Sequence, residues 1–325
     1  GAFPSFLRPL ADLVYDPTMG VEYVFISNLI ANAAFLVMLW PVISGIRPYL
    51  GKHILVPMLI YAYPLLFSQL AGITNEMFSR MTLKKLLPED YYPGLNSQEA
   101  LSIFAACYKL SIFMTLAIQA FRFAAEPFFF SQAGNAGSKA TYARVYYYFS
   151  LVAMVAFLAI SLNLDWIKHL FLSDEAYWQG LHIVPVLLIA NFFLGVYYNM
   201  SIWFKITDKT YFGTIISVGA ALLTVALNIL LIPRFGYEGS AATTLVTYAC
   251  MAVAVYAIGR VHYPVPYNIR KTALYFALAV LLLLAGWLIE AENPWVQQLL
   301  REIPLLLFIL MLVIGERKIL RNNIN

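Results

Sequence analysis

The chain has 325 residues, of which 62% are hydrophobic and 12% are charged, with a mean hydropathy of +0.74. Because soluble domains carry about a quarter charged residues, this composition excludes an ordinary soluble protein and predicts an integral membrane protein. The formal net charge of +4 comes from an even scatter of lysine and arginine, which gives no basis for a nucleic-acid partner.

Nine apolar runs follow one another along the chain, each close to the 20 or so residues that a helix needs to cross a bilayer. They lie at residues 21–44, 53–75, 100–130, 144–164, 181–204, 212–232, 240–259, 272–289 and 295–315. The third run is longer than a bilayer requires, so we expect this helix to tilt or to extend past the lipid. Apolar and basic residues alternate just after the second run, which predicts that its helix continues along the interface.

The loops between the runs are short and predict no domain outside the membrane; the longest covers about two dozen residues after position 75. Twelve lysines and arginines fall in one set of alternate loops and seven in the other, while Lys109 and Arg122 lie inside the third run. Since the richer set faces the cytoplasm in most membrane proteins, we expect a cytoplasmic C-terminus. With nine crossings the N-terminus then lies outside. The start "GAFPSFLRPLADLVYDP" has neither Met nor a secretory signal pattern, which is expected of a chain that lacks an N-terminal part.

Charged and amide side chains inside the runs are the candidate functional residues, because such groups are costly in lipid and tend to face a cavity or a partner. In "SIFMTLAIQAFRFAAEPFFFS", Gln119, Arg122 and Glu126 share one helix face, and Arg122 and Glu126 are four residues apart. Two interpretations stay open: the pair braces helix packing, or it lines a water-filled cavity. Lys109 is expected on the opposite side of this helix, where it either lines a cavity or extends toward the interface.

A second polar group closes the second run. Asn75, Glu76 and Arg80 there form either an ordinary helix-end cluster at the membrane surface or a cationic entrance for an anionic substrate. Cys107 and Cys250 lie in apolar runs without motif spacing, and the four histidines are scattered, so the sequence predicts no metal site and no catalytic residues.

Two stretches carry a resemblance to a known family. "YPLLFSQLAGITNEMFSRMTLKKLLP" followed by "FAACYKLSIFMTLAIQAFRFAAEPFFFS", and later "NILLIPRFGYEG", resemble the Wzx-type polysaccharide flippases of the MATE-like MOP superfamily, in particular their Bacteroidetes-type branch. Family members have two six-helix halves around a central cavity, often followed by two more helices. The resemblance implies an all-α integral membrane fold in which the nine spans correspond to helices 6–14 of fourteen.

On that pattern the chain is an N-terminally truncated fragment. Residues 1–52 hold the last helix of an incomplete N-terminal lobe, 53–259 form the C-terminal six-helix lobe, and 260–325 hold two additional helices and a cytoplasmic tail. Because alternating access needs both lobes, this chain alone is expected to be inactive.

The resemblance also implies a function: movement of undecaprenyl-pyrophosphate-linked oligosaccharide across the bacterial inner membrane for surface polysaccharide synthesis. It implies no enzyme activity and no cofactor, and leaves coupling to a proton, to sodium or to the membrane potential open. The partners would be the lipid-linked oligosaccharide, membrane lipid, and the polysaccharide polymerase with its chain-length machinery. The candidate pyrophosphate ligands are Arg122, then Arg80, then Lys109, with Glu126 holding Arg122 in place or serving as the coupling-ion site.

Three alternatives remain. A drug or cation extruder of the same superfamily relies on acidic cavity residues, whereas the charges here are mainly basic. A membrane enzyme such as an O-antigen polymerase or an acyltransferase is a second alternative, although a polymerase would need a larger periplasmic loop. A non-transporting scaffold or truncated gene product is the third.

Overall fold

The computed structural model describes residues 20, 22–45, 51–88, 91–172 and 174–322, apart from the side chains of residues 68–69, 71–76, 294 and 317–322. The regular structure of these residues is entirely helical, and seven segments are long and apolar enough to span a bilayer. The protein is therefore an all-α membrane protein, as predicted.

The chain divides into two units, residues 1–57 and 58–325. The first contains helix α1 (Glu22–Ile43), which is apolar along its length and has no buried residue. Helix α2 (Lys52–Leu86) begins at the end of the first unit and lies mostly in the second. The remaining elements are α3 (Ser97–Leu110), α4 (Ile112–Gln132), α5 (Ser138–Leu162), α6 (Leu164–Phe171), a 3-10 segment (Glu175–Ile183), α7 (Val184–Met200), α8 (Ile202–Ile206), α9 (Tyr211–His262), α10 (Ile269–Trp287) and α11 (Pro294–Asn322).

Helix α9 is a hairpin of two antiparallel helices rather than one rod. Its chain reverses at Gly236, which has φ 53° and ψ −134°, a conformation that L side chains rarely adopt. The hydroxyl oxygens of Thr224 and Thr247 lie 3.2 Å apart, whereas 23 residues of straight helix would separate them by roughly 35 Å. The two predicted runs at 212–232 and 240–259 therefore both lie in α9, and each of the nine predicted runs has a helix in the structure.

The predicted single helix over residues 100–130 is wrong in one respect, because Ser111 divides it into α3 and α4. The Ser111 N–H bonds to the carbonyl of Tyr108, three residues back, so the α-helical ladder is interrupted there. The Ser111 carbonyl also accepts a long hydrogen bond, 3.5 Å, from the amide of Asn191 on α7. Both side chains are buried, and the Asn191 amide is an additional donor to this carbonyl, which also accepts from the N–H groups of Met114 (3.1 Å) and Thr115 (3.4 Å).

The second predicted run also extends further than a single crossing requires. Helix α2 continues to Leu86, which confirms the expected continuation past residue 75. It is joined to α9 by backbone carbonyls: Tyr61 accepts a hydrogen bond from the Thr210 hydroxyl, and Pro64 accepts one from the Thr214 hydroxyl.

Helix α7 forms the centre of the second unit. It packs against α9, α5 and α4, and most of its side chains are buried. Close approach to α5 depends on Gly195, since a Cβ atom there would lie 2.5 Å from the ring of Phe149. Helices α10 and α11 also pack against α5, so residues 260–322 belong to the same unit as the preceding helices.

Side-chain contacts connect the loops in two groups. One group connects the loop before α3, the 3-10 segment and the tip of α9, and it also connects α6 with the start of α11. The other group connects residues near the ends of α4, α5, α8, α9, α10 and α11. The first group consists of Tyr91 with the Arg234 carbonyl, His182 with Glu238, Asp165 with Arg301, and Trp166 with Trp295. The second consists of Glu126 with Lys205, Lys271 with Glu316, and Lys139 with Tyr263. This grouping matches the two sets of alternate loops used to predict the orientation.

Contacts between loops also shift the pKa values of Asp165 and Tyr92. Burial works against ionisation of Asp165, but its contacts with Lys168 and Arg301 outweigh that effect and hold the pKa of the carboxyl below its ordinary value. Burial and a short hydrogen bond to Glu238 raise the pKa of the Tyr92 phenol. Tyr92 thereby connects the loop before α3 to the tip of α9.

Candidate functional site

The candidate site begins with two charged residues one turn apart on α4. Arg122 is the eleventh of the 21 residues of this apolar helix and lies one turn before Glu126. Its Nε atom is 3.5 Å from Oε1 of Glu126, as the four-residue spacing allows. This separation is longer than that of a charge-assisted hydrogen bond, so the pair is a loose one.

Lys205 on the short helix α8 is the closer partner of Glu126. Its Nζ atom donates a 2.7 Å hydrogen bond to the same Oε1 atom. The Lys205 side chain is only 14% exposed, whereas that of Glu126 is 36% exposed. The carboxylate is therefore fixed mainly by Lys205, and the predicted role of Glu126 as the holder of Arg122 is the weaker of its two interactions.

Arg122 is held on another side by an aromatic ring. Its guanidinium carbon lies 4.0 Å from the ring centroid of Tyr198 on α7, within the range of a cation–π contact. The Arg122 side chain remains 26% exposed, and its Nε atom has no hydrogen-bond partner among the described residues. Arg122 is thus positioned by two neighbours without having its hydrogen-bonding capacity used up.

The cluster as a whole carries a net positive charge, because Arg122 and Lys205 face the single carboxylate of Glu126. A cation in a medium of low dielectric attracts an anion more strongly than it does in water. The planar fork of an arginine also matches the oxygens of a phosphate group. The arrangement is therefore suited to binding an anionic group, with Arg122 as the ligand and Glu126 limiting the excess charge.

The other predicted site residues do not join this cluster. Gln119 is exposed one turn before Arg122, and Lys109 is exposed on α3, beyond the break at Ser111. Arg80 lies on α2 with its guanidinium carbon 5.0 Å from the ring centroid of Tyr108. The side chain of Asn75 lies outside the described residues.

Tyr108 also borders a small hydroxyl-lined cavity between α2, α3 and α9. The cavity measures about 10 Å³, enough for one water molecule, and Ser79, Thr224 and Thr247 contribute hydroxyl groups to its wall. The Ser79 hydroxyl also accepts a 3.1 Å hydrogen bond from the amide of Asn228. Arg80 is therefore next to a polar packing contact between helices.

Sequence reasoning missed Lys205 and the pairing of Tyr198 with Arg122. Lys205 is 79 residues from Glu126 in the chain and lies between two apolar runs, outside any predicted crossing. Local spacing contains no signal for either contact, because both depend on how α4, α7 and α8 pack.

Among the described residues, no three His, Cys, Asp or Glu side chains come together as a metal-binding group. Comparison with known proteins gives no match to a protein-family model, to a curated protein or to a solved structure.

Proposed function

We propose that this protein takes part in moving an anionic lipid-linked oligosaccharide across a bacterial inner membrane and that Arg122 binds its pyrophosphate group. The observation that carries the proposal is the net-positive cluster on the apolar helix α4, where a quarter of the Arg122 side chain stays exposed. A charged side chain inside a membrane costs free energy, so it is expected to face a partner or a transport pathway. Lys205 supplies the second positive charge next to the same site.

The family resemblance supports the substrate class, because the Wzx-type flippases handle undecaprenyl-pyrophosphate-linked saccharides for surface polysaccharide synthesis. The same proposal places the C-terminus in the cytoplasm and makes the polysaccharide polymerase and its chain-length machinery the downstream partners. A cation extruder is less well supported, since the acid of this cluster is already occupied by two cations.

Binding of the lipid-linked saccharide tests the proposal directly. The purified protein in nanodiscs would be titrated with a polyprenyl-pyrophosphate-linked disaccharide, and affinity would be compared for Arg122→Gln and Arg260→Gln. Arg260 is an exposed arginine at the end of α9 and serves as the matched control. Losing one charge-assisted phosphate contact is expected to weaken binding about tenfold in Arg122→Gln.

Further binding measurements test whether Arg122 contacts the pyrophosphate group. Arg122→Lys should recover only part of the affinity, because an ammonium group cannot offer the bidentate fork. Equal affinity for the pyrophosphate-linked saccharide and for the same saccharide on an uncharged lipid would contradict the proposal. So would equal losses in Arg122→Gln and Arg260→Gln.

A further inference from the structure

A separate groove runs along the outer surface of the second unit, between α4 and α5. It has a volume of about 390 Å³ and is lined almost entirely by apolar side chains. Its wall includes Met114, Ala117, Ile118, Val152, Ala153 and Ala156. In a membrane protein, an open apolar groove of this kind is suited to binding a hydrocarbon chain.

The groove exists because small residues face each other across the two helices. Ala117 on α4 and Ala153 and Ala156 on α5 leave space that longer side chains would fill. Phe121 and Phe149 also border the groove and contact each other with ring centroids 4.4 Å apart.

One end of the groove carries a positive charge. Arg144 on α5 is part of its wall, is exposed, and makes no ion pair or hydrogen bond with another described residue. Arg144 belongs to the loop set that is rich in lysine and arginine. The charge therefore lies where the lipid phosphates of that leaflet are expected.

Along α5 the groove is about as long as one leaflet is thick, while its α4 wall is shorter, from Met114 to Phe121. From Arg144 to Ala156 the wall follows α5 for twelve residues, or roughly 18 Å at 1.5 Å per residue. Half of a hydrocarbon core of about 30 Å is about 15 Å. The groove thus extends from the phosphate level to about the middle of the bilayer, with the cation at its outer end.

We propose that this groove is a binding site for an anionic glycerophospholipid, with the phosphate at Arg144 and one acyl chain along Ala117, Ala153 and Ala156. The arginine fork and the phosphate are complementary in charge and geometry. Anionic lipids also accumulate at the cytoplasmic leaflet, toward which the arginine-rich loops are predicted to point. This site is independent of Arg122 and of the transport proposal.

Lipid exchange on the purified full chain tests the site. The protein in detergent would be titrated with phosphatidylglycerol or phosphatidylcholine, and bound lipid would be counted by native mass spectrometry. Wild-type protein is expected to bind phosphatidylglycerol about tenfold more tightly than phosphatidylcholine, and Arg144→Gln is expected to lose that preference. Arg270→Gln, an exposed arginine in the same predicted loop set, should keep it.

A second pair of variants tests the acyl-chain part of the site. Ala117 and Ala120 are both exposed alanines of α4, but only Ala117 borders the groove. Ala117→Phe should reduce phosphatidylglycerol binding several-fold by filling the groove, and Ala120→Phe should leave it unchanged.

Each of the two pairs of variants has an outcome that would contradict the proposed lipid site. Equal effects of Ala117→Phe and Ala120→Phe would overturn the groove as the binding site, as would equal binding of the two phospholipids by wild-type protein. Displacement of phosphatidylglycerol by polyprenyl pyrophosphate, sensitive to Arg144→Gln, would overturn the phospholipid as occupant. Retention of the preference by Arg144→Lys would support the charge-based account, because that variant keeps the cation.

Discussion

Replacement of Gly236 by alanine should destabilise the protein strongly, because two separate effects act at the tip of α9. The backbone there has φ 53° and ψ −134°, and holding an L residue in such a region costs about 1–3 kcal/mol. A Cβ atom would also lie 2.7 Å from Cζ of Tyr92, so the ring would have to move.

Movement of the ring adds to that cost through lost hydrogen bonds. Tyr92 accepts a 3.1 Å hydrogen bond from the Tyr237 N–H and donates one to the Glu238 carboxylate. A neutral hydrogen bond contributes about 1 kcal/mol and one to a charged group about 1.5–3 kcal/mol. With partial relaxation, Gly236→Ala should cost about 3–5 kcal/mol in total, or roughly 6 °C or more in Tm.

Thermal unfolding of the purified protein, followed by tryptophan fluorescence in one detergent, measures this effect. Gly219→Ala is the matched control, because Gly219 lies in the same hairpin with nothing within 4 Å of its added Cβ atom. That change should be neutral or stabilise by about 0.5–1 kcal/mol. In a Tyr92→Ala background, Gly236→Ala should cost only its conformational part. Equal Tm values for Gly236→Ala and Gly219→Ala would refute the reasoning.

Two further predictions concern the ion pairs. Lys205→Met should destabilise the protein by about 1–2 kcal/mol, because it leaves the half-buried Glu126 carboxylate without its shortest ion pair. In thermal unfolding, the double variant with Glu126→Gln should recover part of that lost stability. A further loss of stability in the double variant would contradict this account. The pKa of Asp165 is lowered in the folded state, so its stabilising contribution is complete above the unfolded value of about 4 and is lost as the pH falls below it. Wild-type protein should thus unfold at a higher temperature than Asp165→Asn at pH 7, and the difference should shrink toward about pH 3; a gap that widens in acid would show that another group is responsible.

The sequence is informative about what depends on local composition. The length of each apolar run predicted a helix, because a helix needs a minimum number of apolar residues to cross a bilayer, whatever it packs against. The four-residue spacing of Arg122 and Glu126 likewise fixed their common face on α4. Gly236 falls within "PRFGYEG", where a loop was expected, and the structure shows how tightly the chain turns there.

Contacts between distant segments were beyond such reasoning. Lys205 reaches Glu126 only because α8 lies beside α4. A hydropathy pattern identifies helices but does not show which helices are neighbours. The break at Ser111 was also missed, since a serine between apolar residues does not by itself end a helix. The structure shows it in the backbone, where the Ser111 N–H bonds to the Tyr108 carbonyl three residues back.

The interruption at Ser111 has a mechanical consequence for the candidate site. A continuous helix transmits torque, so a rotation at one end turns every side chain along it, whereas an interrupted ladder acts as a joint. Helix α3 is fastened to the 3-10 segment on one side of this joint, and α4 carries Arg122 on the other. We therefore expect α4, and Arg122 with it, to tilt relative to α3 more easily than an unbroken helix would allow.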